Sequence, residues 1–146
     1  YIEEEYGHQE WILNDIRACG GDTEQVRNGS PGLPIEMMIA YLYYRIERVN
    51  PMSLFGMVLV LEGTSVSIAS AVAEQVERTL GLPEKATTYL RSHGELDQGH
   101  LQFFASLMDS ITDASDQAAI IHTARRVYHL YGEMLDQLGN DAYGSE

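Results

Sequence analysis

One stretch of the sequence decides the fold, residues 51–80, which read PMSLFGMVLVLEGTSVSIASAVAEQVERTL. Asn50-Pro51 in front of it is typical of a helix start, so we predict one long helix, about 45 Å if unbroken. Residues 51–73 are apolar and long enough to span a membrane. However, Glu62 near the centre would cost about 2.5–3.5 kcal/mol in a bilayer. We therefore favour a buried helix in a protein core.

Helical periodicity continues on both sides of this stretch, and no period-2 alternation typical of strands is present. We expect an all-α chain whose other helices cover about residues 2–19, 84–111 and 116–138, with one more that begins at Pro34. A kink is expected near Gly63 in the long helix. Residues 20–33 are rich in Gly, Pro and Ser, which predicts a long irregular connection.

The composition is that of an acidic globular protein. The chain has 146 residues, 45% of them hydrophobic, with 9 Lys+Arg against 22 Asp+Glu and a formal net charge of −13. This length suits one domain, residues 1–146. The acidic balance argues against binding to nucleic acid or to an anionic membrane surface. The single Cys excludes a disulfide framework and indicates a reducing compartment, so we predict a cytoplasmic protein.

The sequence opens at Tyr1 in an acidic run and has no initiator Met. We therefore expect a helical bundle that lacks its N-terminal helices. Apolar residues of the long helix and the last helix would then lack partners unless missing helices or a second copy covered them. The residues for which we expect this exposure are Leu54, Val58, Tyr128 and Leu135.

The strongest chemical signal is the segment HGELDQGH at residues 93–100. Positions i, i+4 and i+7 of a helix lie within about 60° of one another, so His93, Asp97 and His100 would share one face. Two imidazoles and a carboxylate suit Fe, Mn, Zn or Co better than Ca or Mg. We predict a metal site here, and the alternative is a polar surface face with two incidental histidines.

Two further signals lie on other predicted helices. Glu5 and His8 have the i, i+3 spacing of carboxylate–histidine pairs in helical di-iron proteins, and Glu4 is a competing carboxylate. The alternative is that these acids only complement a helix N-terminus. Glu62 interrupts the most apolar part of the chain, and a buried carboxylate must be paired, protonated or bound to a metal. A hydrogen bond to a neighbouring Ser at a kink is the alternative for this residue.

Other polar residues are read mainly as structural. Tyr41 and Tyr44 could line a substrate pocket or act as redox-active phenols, although core or interface positions are favoured for both. His122 and His129 are interpreted as polar residues of the surface or core, and Cys19 has no partner base in the sequence. We therefore predict neither a metal-binding nor a nucleophilic role for these three.

This pattern resembles the haem-oxygenase-like di-iron oxidases and oxygenases, which are often described as iron-containing redox enzymes and are related in fold to the TenA and PqqC groups. The similarity rests on three motifs: Glu-x-x-His followed by Trp-Ile-Leu-Asn-Asp, Leu-Glu-Gly in an apolar helix, and Ser-His-x-x-x-Asp-x-x-His. It extends over essentially the whole chain, which corresponds to about the last two-thirds of a typical member.

The resemblance implies an all-α, haem-oxygenase-like bundle that binds no haem. It further implies two iron ions, O₂ and a small amino-acid-like or fatty-acid-like substrate, and a homodimer. Its metal ligands map onto Glu5 (or Glu4), His8, Glu62, His93, Asp97 and His100. Two alternatives stay open, a ferritin-like di-iron oxidase and a metal-free helical module for binding or dimerisation.

Overall fold

The computed structural model describes the backbone of residues 6–95 and 98–143. Within these ranges it also describes the side chains, except those of residues 94–101 and 139–143. This part of the chain forms seven α-helices and no β-strand, which confirms the all-α prediction. A short 3-10 helix, Glu84–Ala86, is the remaining helical element. The α-helices are α1 (His8–Ala18), α2 (Thr23–Asn28), α3 (Leu33–Arg48), α4 (Ser53–Leu80), α5 (Thr88–Glu95), α6 (Gln98–Ser110) and α7 (Ala114–Tyr143).

The start of the chain differs from the prediction in two ways. Helix α1 begins only at His8, because Gly7 has a φ of 96°, in the left-handed region that a regular right-handed helix does not use. The predicted irregular connection contains α2, because the Asp22 carboxylate accepts hydrogen bonds from the backbone N–H groups of Glu24 and Gln25 at 2.9 and 3.1 Å. An unbroken helix from residue 2 and an irregular segment 20–33 were therefore both wrong.

The second half of the chain also departs from the prediction at helix ends. Thr87 has a non-helical backbone, φ −135° and ψ 26°, and separates the 3-10 helix from α5. Its backbone N–H donates a hydrogen bond to the carbonyl of Glu84 at 3.2 Å, which closes this turn. Helix α7 extends to Tyr143, past the stop predicted at Gly139. Glycine lowers helix stability by about 1 kcal/mol without preventing a helix, which explains that error.

Helix α4 is the long helix that residues 51–80 predict. By length and composition alone, it is the one helix among the described residues that could cross a membrane. Val60 and Ala73 are fully buried, whereas Leu59 and Ile68 are exposed. The helix therefore buries part of its surface, whereas the sequence led us to expect a buried core helix.

Two compact units make up the chain, and one of the boundaries between them falls within α4, after Gly63. The kink expected near Gly63 stays a prediction. The first unit comprises Tyr1–Ser30 and Thr64–Gln102, and the second comprises Pro31–Gly63 and Phe103–Glu146. In the first unit, α1 packs against α2, the 3-10 helix and α5. In the second unit, α3 packs along α7.

The second unit has a close-packed apolar core. Gly56 of α4 lies so close to α7 that a Cβ atom there would be 2.5 Å from the carbonyl oxygen of Ile120. Three of the four residues expected to lack cover are exposed, Leu54, Tyr128 and Leu135, but Val58 is buried. The core consists of Leu42, Val60, Ala124 and Val127, with Met38, Tyr41 and Met57 packed against them.

Candidate metal centre

Two of the predicted ligands, His8 and His93, meet in the first unit. Their ring centroids are 5.1 Å apart and the ring planes are at 82° to each other. His8 is the first residue of α1 and is half-buried, and His93 lies in α5 with 7% of its surface exposed. Two imidazoles from helices far apart in the sequence are thus in direct contact, an arrangement that can supply two nitrogen ligands to one metal ion.

A buried carboxylate joins the two helices that carry these histidines. Asp15 of α1 accepts a hydrogen bond from the backbone N–H of Tyr89 at 2.8 Å and another from the Thr88 hydroxyl. Both donors lie in the first turn of α5, whose backbone N–H groups have no partner within the helix. His93 lies one turn beyond Tyr89 on the same face of α5, and His8 lies two turns before Asp15 on the same face of α1. The two helix faces that meet at the hydrogen bond between Asp15 and Tyr89 therefore also meet at the contact between His8 and His93.

The hydrogen bonds of His93 define its tautomer. Its Nδ1 atom is 2.9 Å from the backbone carbonyl oxygen of Tyr89, which can only accept, so Nδ1 carries a hydrogen and donates. The Ser92 hydroxyl is 3.3 Å from the same nitrogen. In the neutral imidazole, Nε2 therefore holds the free lone pair. A hydrogen bond from one ring nitrogen to a backbone carbonyl is the usual arrangement that fixes a metal-binding histidine.

Aromatic rings surround the pair on two sides. Trp11 stacks on His8 with a centroid distance of 4.3 Å and an interplanar angle of 24°. Tyr89 packs against His93 at 4.1 Å and 36°. These contacts restrict the rotation of both imidazoles and exclude water from the covered ring faces. Trp11 is the only Trp of the chain, so its fluorescence reports on this site alone.

The other predicted ligands lie in the second unit or have side chains outside the described part of the chain. Glu62 lies in the second unit and is half-buried rather than buried, because α4 buries only part of its surface. Glu5, its competitor Glu4 and Asp97 lie outside the described residues, as does the side chain of His100. In the part of the chain that the structure describes, no three His, Cys, Asp or Glu residues form a metal-binding group. The six-ligand set therefore stays a prediction.

The spacing arguments behind two of the sequence motifs each assume one continuous helix. The pairing of Glu5 with His8 assumed one helix through both, and α1 begins only at His8. The shared face of His93, Asp97 and His100 assumed one helix through residues 93–100. The structure describes Thr88–Glu95 and Gln98–Ser110 as helical, with 96 and 97 outside the described residues. The helical spacing within both motifs therefore stays a prediction.

The residues that we had read mainly as structural are divided between the two units. Tyr41 packs against the core of the second unit, and its buried hydroxyl has no hydrogen-bond partner among the described residues. Tyr44, His122 and His129 are exposed in the same unit. Cys19 is an exposed free thiol in the first unit. The structure therefore gives no reason to assign chemistry to any of these five.

Sequence reasoning missed Asp15 and Tyr89, which hold the histidine helices together. His8, Trp11, Ile12 and Asp15 follow i, i+3, i+4 and i+7 spacing, which places the acid on the apolar face of α1. The position of Asp15 on this apolar face could have identified it from the sequence, because a buried acid needs a partner. An open groove of about 450 Å³ lies beside them, lined by Ile12, Asp15, Ile16, Cys19, Gly20, Gly21, Ala86, Tyr89 and Leu90.

Comparison with known proteins identifies the class. The chain belongs to the iron-containing redox enzyme family, since the family model matches residues 1–132. No curated protein and no solved structure gives a match. Family membership confirms the resemblance seen in the sequence and, together with the all-helical structure, the haem-oxygenase-like fold class. It indicates an oxidoreductase whose metal is iron.

The residues of the first unit fit iron as the metal. Imidazole nitrogen is a common iron ligand, and His8 and His93 offer two such donors in contact with each other. The hydrogen bond from Nδ1 of His93 to the Tyr89 carbonyl leaves Nε2 available as a ligand. The donor chemistry and the family description thus agree.

Proposed function

We propose that this chain is a non-haem oxidase or oxygenase that binds two iron ions and uses O₂ to oxidise a small organic substrate. The observation that carries the proposal is the contact between His8 and His93, whose ring centroids are 5.1 Å apart. The family match supports the iron and the redox chemistry, and favours this function over a ferritin-like oxidase. An amino-acid-like or a fatty-acid-like substrate, a homodimer and a cytoplasmic location stay predictions.

His8 and His93 would hold the metal through their imidazole nitrogens. Bound iron would supply O₂ activation and electron transfer, chemistry that no amino-acid side chain of this chain provides by itself. The chain contributes orientation: the Tyr89 carbonyl fixes the tautomer of His93, and Trp11 fixes the ring of His8 by stacking. Both contacts hold the ligands in place before the metal arrives, which lowers the entropic cost of binding.

Carboxylate ligands are needed to complete such a site. We propose Glu62, Asp97 and Glu5, together with the third imidazole, His100, because the sequence resemblance assigns them. Carboxylates can bridge two iron ions, which imidazoles cannot. Glu62→Gln would preserve the size of the side chain and remove its charge, so we expect it to lower the number of irons bound per chain.

An anaerobic Fe(II) titration with metal analysis tests the proposal. We expect two irons per chain and quenching of Trp11 fluorescence as the metal binds. His93→Ala should weaken iron binding at least about tenfold while the helix content measured by circular dichroism stays unchanged. His129→Ala is the matched control, because this exposed histidine lies in the second unit and should leave binding unaffected.

The outcomes separate the alternatives. One iron per chain would contradict the di-iron assignment and leave the histidine site in place. No iron, with the Trp11 fluorescence unchanged, would overturn the proposal and favour a metal-free helical module. Equal losses in His93→Ala and His129→Ala would show that the contact between the two rings does not define the site.

A further inference from the structure

Asp15 is a buried charge with an unusual pair of partners. It is 8% exposed and lies on the side of α1 that carries the apolar residues Ile12 and Ile16. A carboxylate in such surroundings is unfavourable unless hydrogen bonds compensate its lost hydration. Both of its hydrogen bonds come from the first turn of α5, from the Tyr89 N–H at 2.8 Å and from the Thr88 hydroxyl.

These partners make Asp15 a helix cap supplied by another helix. A cap normally comes from the residue just before the helix, as Asp22 does for α2. For α5 the corresponding carboxylate comes instead from α1, so the cap also fixes the position of one helix along the other. The negative charge additionally interacts favourably with the helix dipole at the N-terminus of α5.

The cap determines how the two histidines face each other. His93 is four residues after Tyr89, and His8 is seven residues before Asp15. A shift of α5 along α1 by one residue would move His93 by about 1.5 Å and rotate it by about 100° around the helix axis. The edge contact between His8 and His93, with centroids 5.1 Å apart, would not survive such a shift.

A second set of contacts keeps α5 in the unit without Asp15. Arg91 of α5 pairs with Glu77 of α4 through Nε at 2.9 Å and Nη2 at 2.7 Å. The Thr87 hydroxyl also donates to Glu77. Because these contacts do not involve α1, losing the cap should change the register of α5 against α1 without unfolding the unit.

We infer that Asp15 is the positioning residue of the histidine pair: it caps α5 from α1 and thereby sets the distance and angle between His8 and His93. As a statement about an iron site, the inference rests on the proposed function. As a statement about ring geometry, it can be tested in the metal-free chain. Asp15 itself need not contact iron or substrate.

The experiment compares Asp15→Ala, Asp15→Asn and the control Asp22→Ala in the full 146-residue chain. Asp22 caps a helix of the same unit, and it accepts its hydrogen bonds from the backbone of that helix, α2. Its replacement is therefore a control for the loss of a helix cap that does not join α1 to α5. The first readout is the nuclear Overhauser effect between ring protons of His8 or Trp11 and those of His93, without metal. The second is Co(II) affinity measured by quenching of Trp11 fluorescence.

We expect Asp15→Ala to lose the ring contacts and about tenfold or more of its Co(II) affinity, with helix content retained. Asp15→Asn retains a side-chain oxygen that can accept from the Tyr89 N–H, so it should keep the ring contacts and most of the affinity. Asp22→Ala should match the wild type in both readouts. If Asp15→Ala does not fold, Thr88→Val replaces it, because this change removes one of the two hydrogen bonds of Asp15. A partial loss of the ring contacts and of Co(II) affinity would then support the inference, and wild-type values would contradict it.

Wild-type ring contacts in Asp15→Ala would overturn the inference, as would equal effects of Asp15→Ala and Asp22→Ala. Loss of the contacts in Asp15→Asn would also contradict it, because the cap geometry is then not what matters. A wild-type chain that binds no Co(II) and no Fe(II) would refute the proposed function, and the ring contacts would still decide the role of Asp15.

Discussion

Different interactions stabilise each of the two units of this chain. In the second unit, Gly56 allows α4 to approach the backbone of α7, and Val60 and Val127 are fully buried. In the first unit, the contacts that tie α5 to its neighbours are polar: Asp15 caps the helix and Glu77 pairs with Arg91. One unit is defined by close apolar packing, whereas the other is defined by directional hydrogen bonds.

This difference suggests that apolar packing provides stability in one unit, whereas hydrogen bonds fix orientation in the other. Apolar packing stabilises strongly but tolerates small changes of angle, because dispersion and burial have little directional preference. Hydrogen bonds contribute less net stability but fix orientation. A pair of proposed metal ligands such as His8 and His93 needs orientation above all, since a site displaced by about 1 Å loses function. The comparison therefore predicts large stability effects in the second unit and smaller, orientation-dependent effects in the first.

The largest effect should come from Gly56→Ala. The new Cβ would lie 2.5 Å from the Ile120 carbonyl oxygen and 2.7 Å from the Ala124 backbone nitrogen. Both are backbone atoms of α7 and cannot rotate away, so we expect a loss of about 3 kcal/mol in the free energy of unfolding. Chemical denaturation followed by circular dichroism measures it.

Gly132→Ala is the matched control for this substitution. Gly132 lies within α7, and a Cβ there would meet no atom within 4 Å. Replacing a helical glycine with alanine should raise stability by up to about 1 kcal/mol. Equal and small effects at both positions would contradict the statement that close packing defines the second unit, because the approach of α4 to α7 would then contribute little to stability.

The next effect tests whether a polar contact matters in the packed unit as well. Asn50 donates a hydrogen bond to Asp116 at 2.8 Å and accepts one from the Met52 N–H at 2.9 Å. Asn50→Ala removes both, and we expect a loss of about 1–2 kcal/mol in unfolding free energy. Asn14→Ala, which removes an exposed bond to Arg17, should cost less in the same denaturation experiment. A cost for Asn50→Ala equal to that of Gly56→Ala would count against packing as the main stabilising interaction of this unit.

The sequence predicted the packed unit better than the histidine unit. Helices α3 and α4 follow from apolar periodicity and from Pro34 and Asn50-Pro51, which are local signals. The contact of Asp15 with Tyr89 joins residues far apart in the chain, and no local pattern specifies such a pairing. His8 and His93 were recognised by residue type and by resemblance, but the spacing arguments relied on continuous helices. Gly7, whose φ lies in the left-handed region, interrupts the helix that we had predicted over about residues 2–19.

The pair of Glu77 and Arg91 predicts a pH dependence for the first unit. Hydrogen bonds from Arg91, and secondarily from Thr87, lower the pKa of Glu77 from its ordinary value of 4.5. The folded state therefore favours the ionised carboxylate, and its stabilising effect is fully present above the unfolded pKa. That effect is lost as pH falls through the lower pKa of the folded state.

Glu77→Gln should remove this part of the stability. We expect the wild type to be more stable than the variant at neutral pH, with the difference shrinking as the pH falls below about 4.5. Denaturation followed by Trp11 fluorescence at a series of pH values measures the difference in the first unit. Glu47→Gln, at an exposed position of the second unit, is the control. A difference that is constant across this pH range would show that the ion pair does not stabilise α5.

The smallest effect should come from Arg27→Gln. Arg27 of α2 makes a two-pronged pair with Glu10 of α1, at 2.8 Å for each nitrogen–oxygen contact, and this pairing lowers the pKa of Glu10. The side chains are 43% and 50% exposed, so water and salt screen their attraction. We expect a change in the denaturation midpoint near the limit of detection, which vanishes in about 1 M salt, where the screening length is about 3 Å.

Arg48→Gln, at an exposed position of the second unit, is the reference for loss of a surface cation. A salt-resistant loss of stability confined to Arg27→Gln would contradict the expectation that this exposed ion pair contributes little to the first unit. It would mean that the two-pronged geometry orients α2 on α1 even at the surface. Directional contacts would then hold the whole first unit in place, and not only the helix that carries His93.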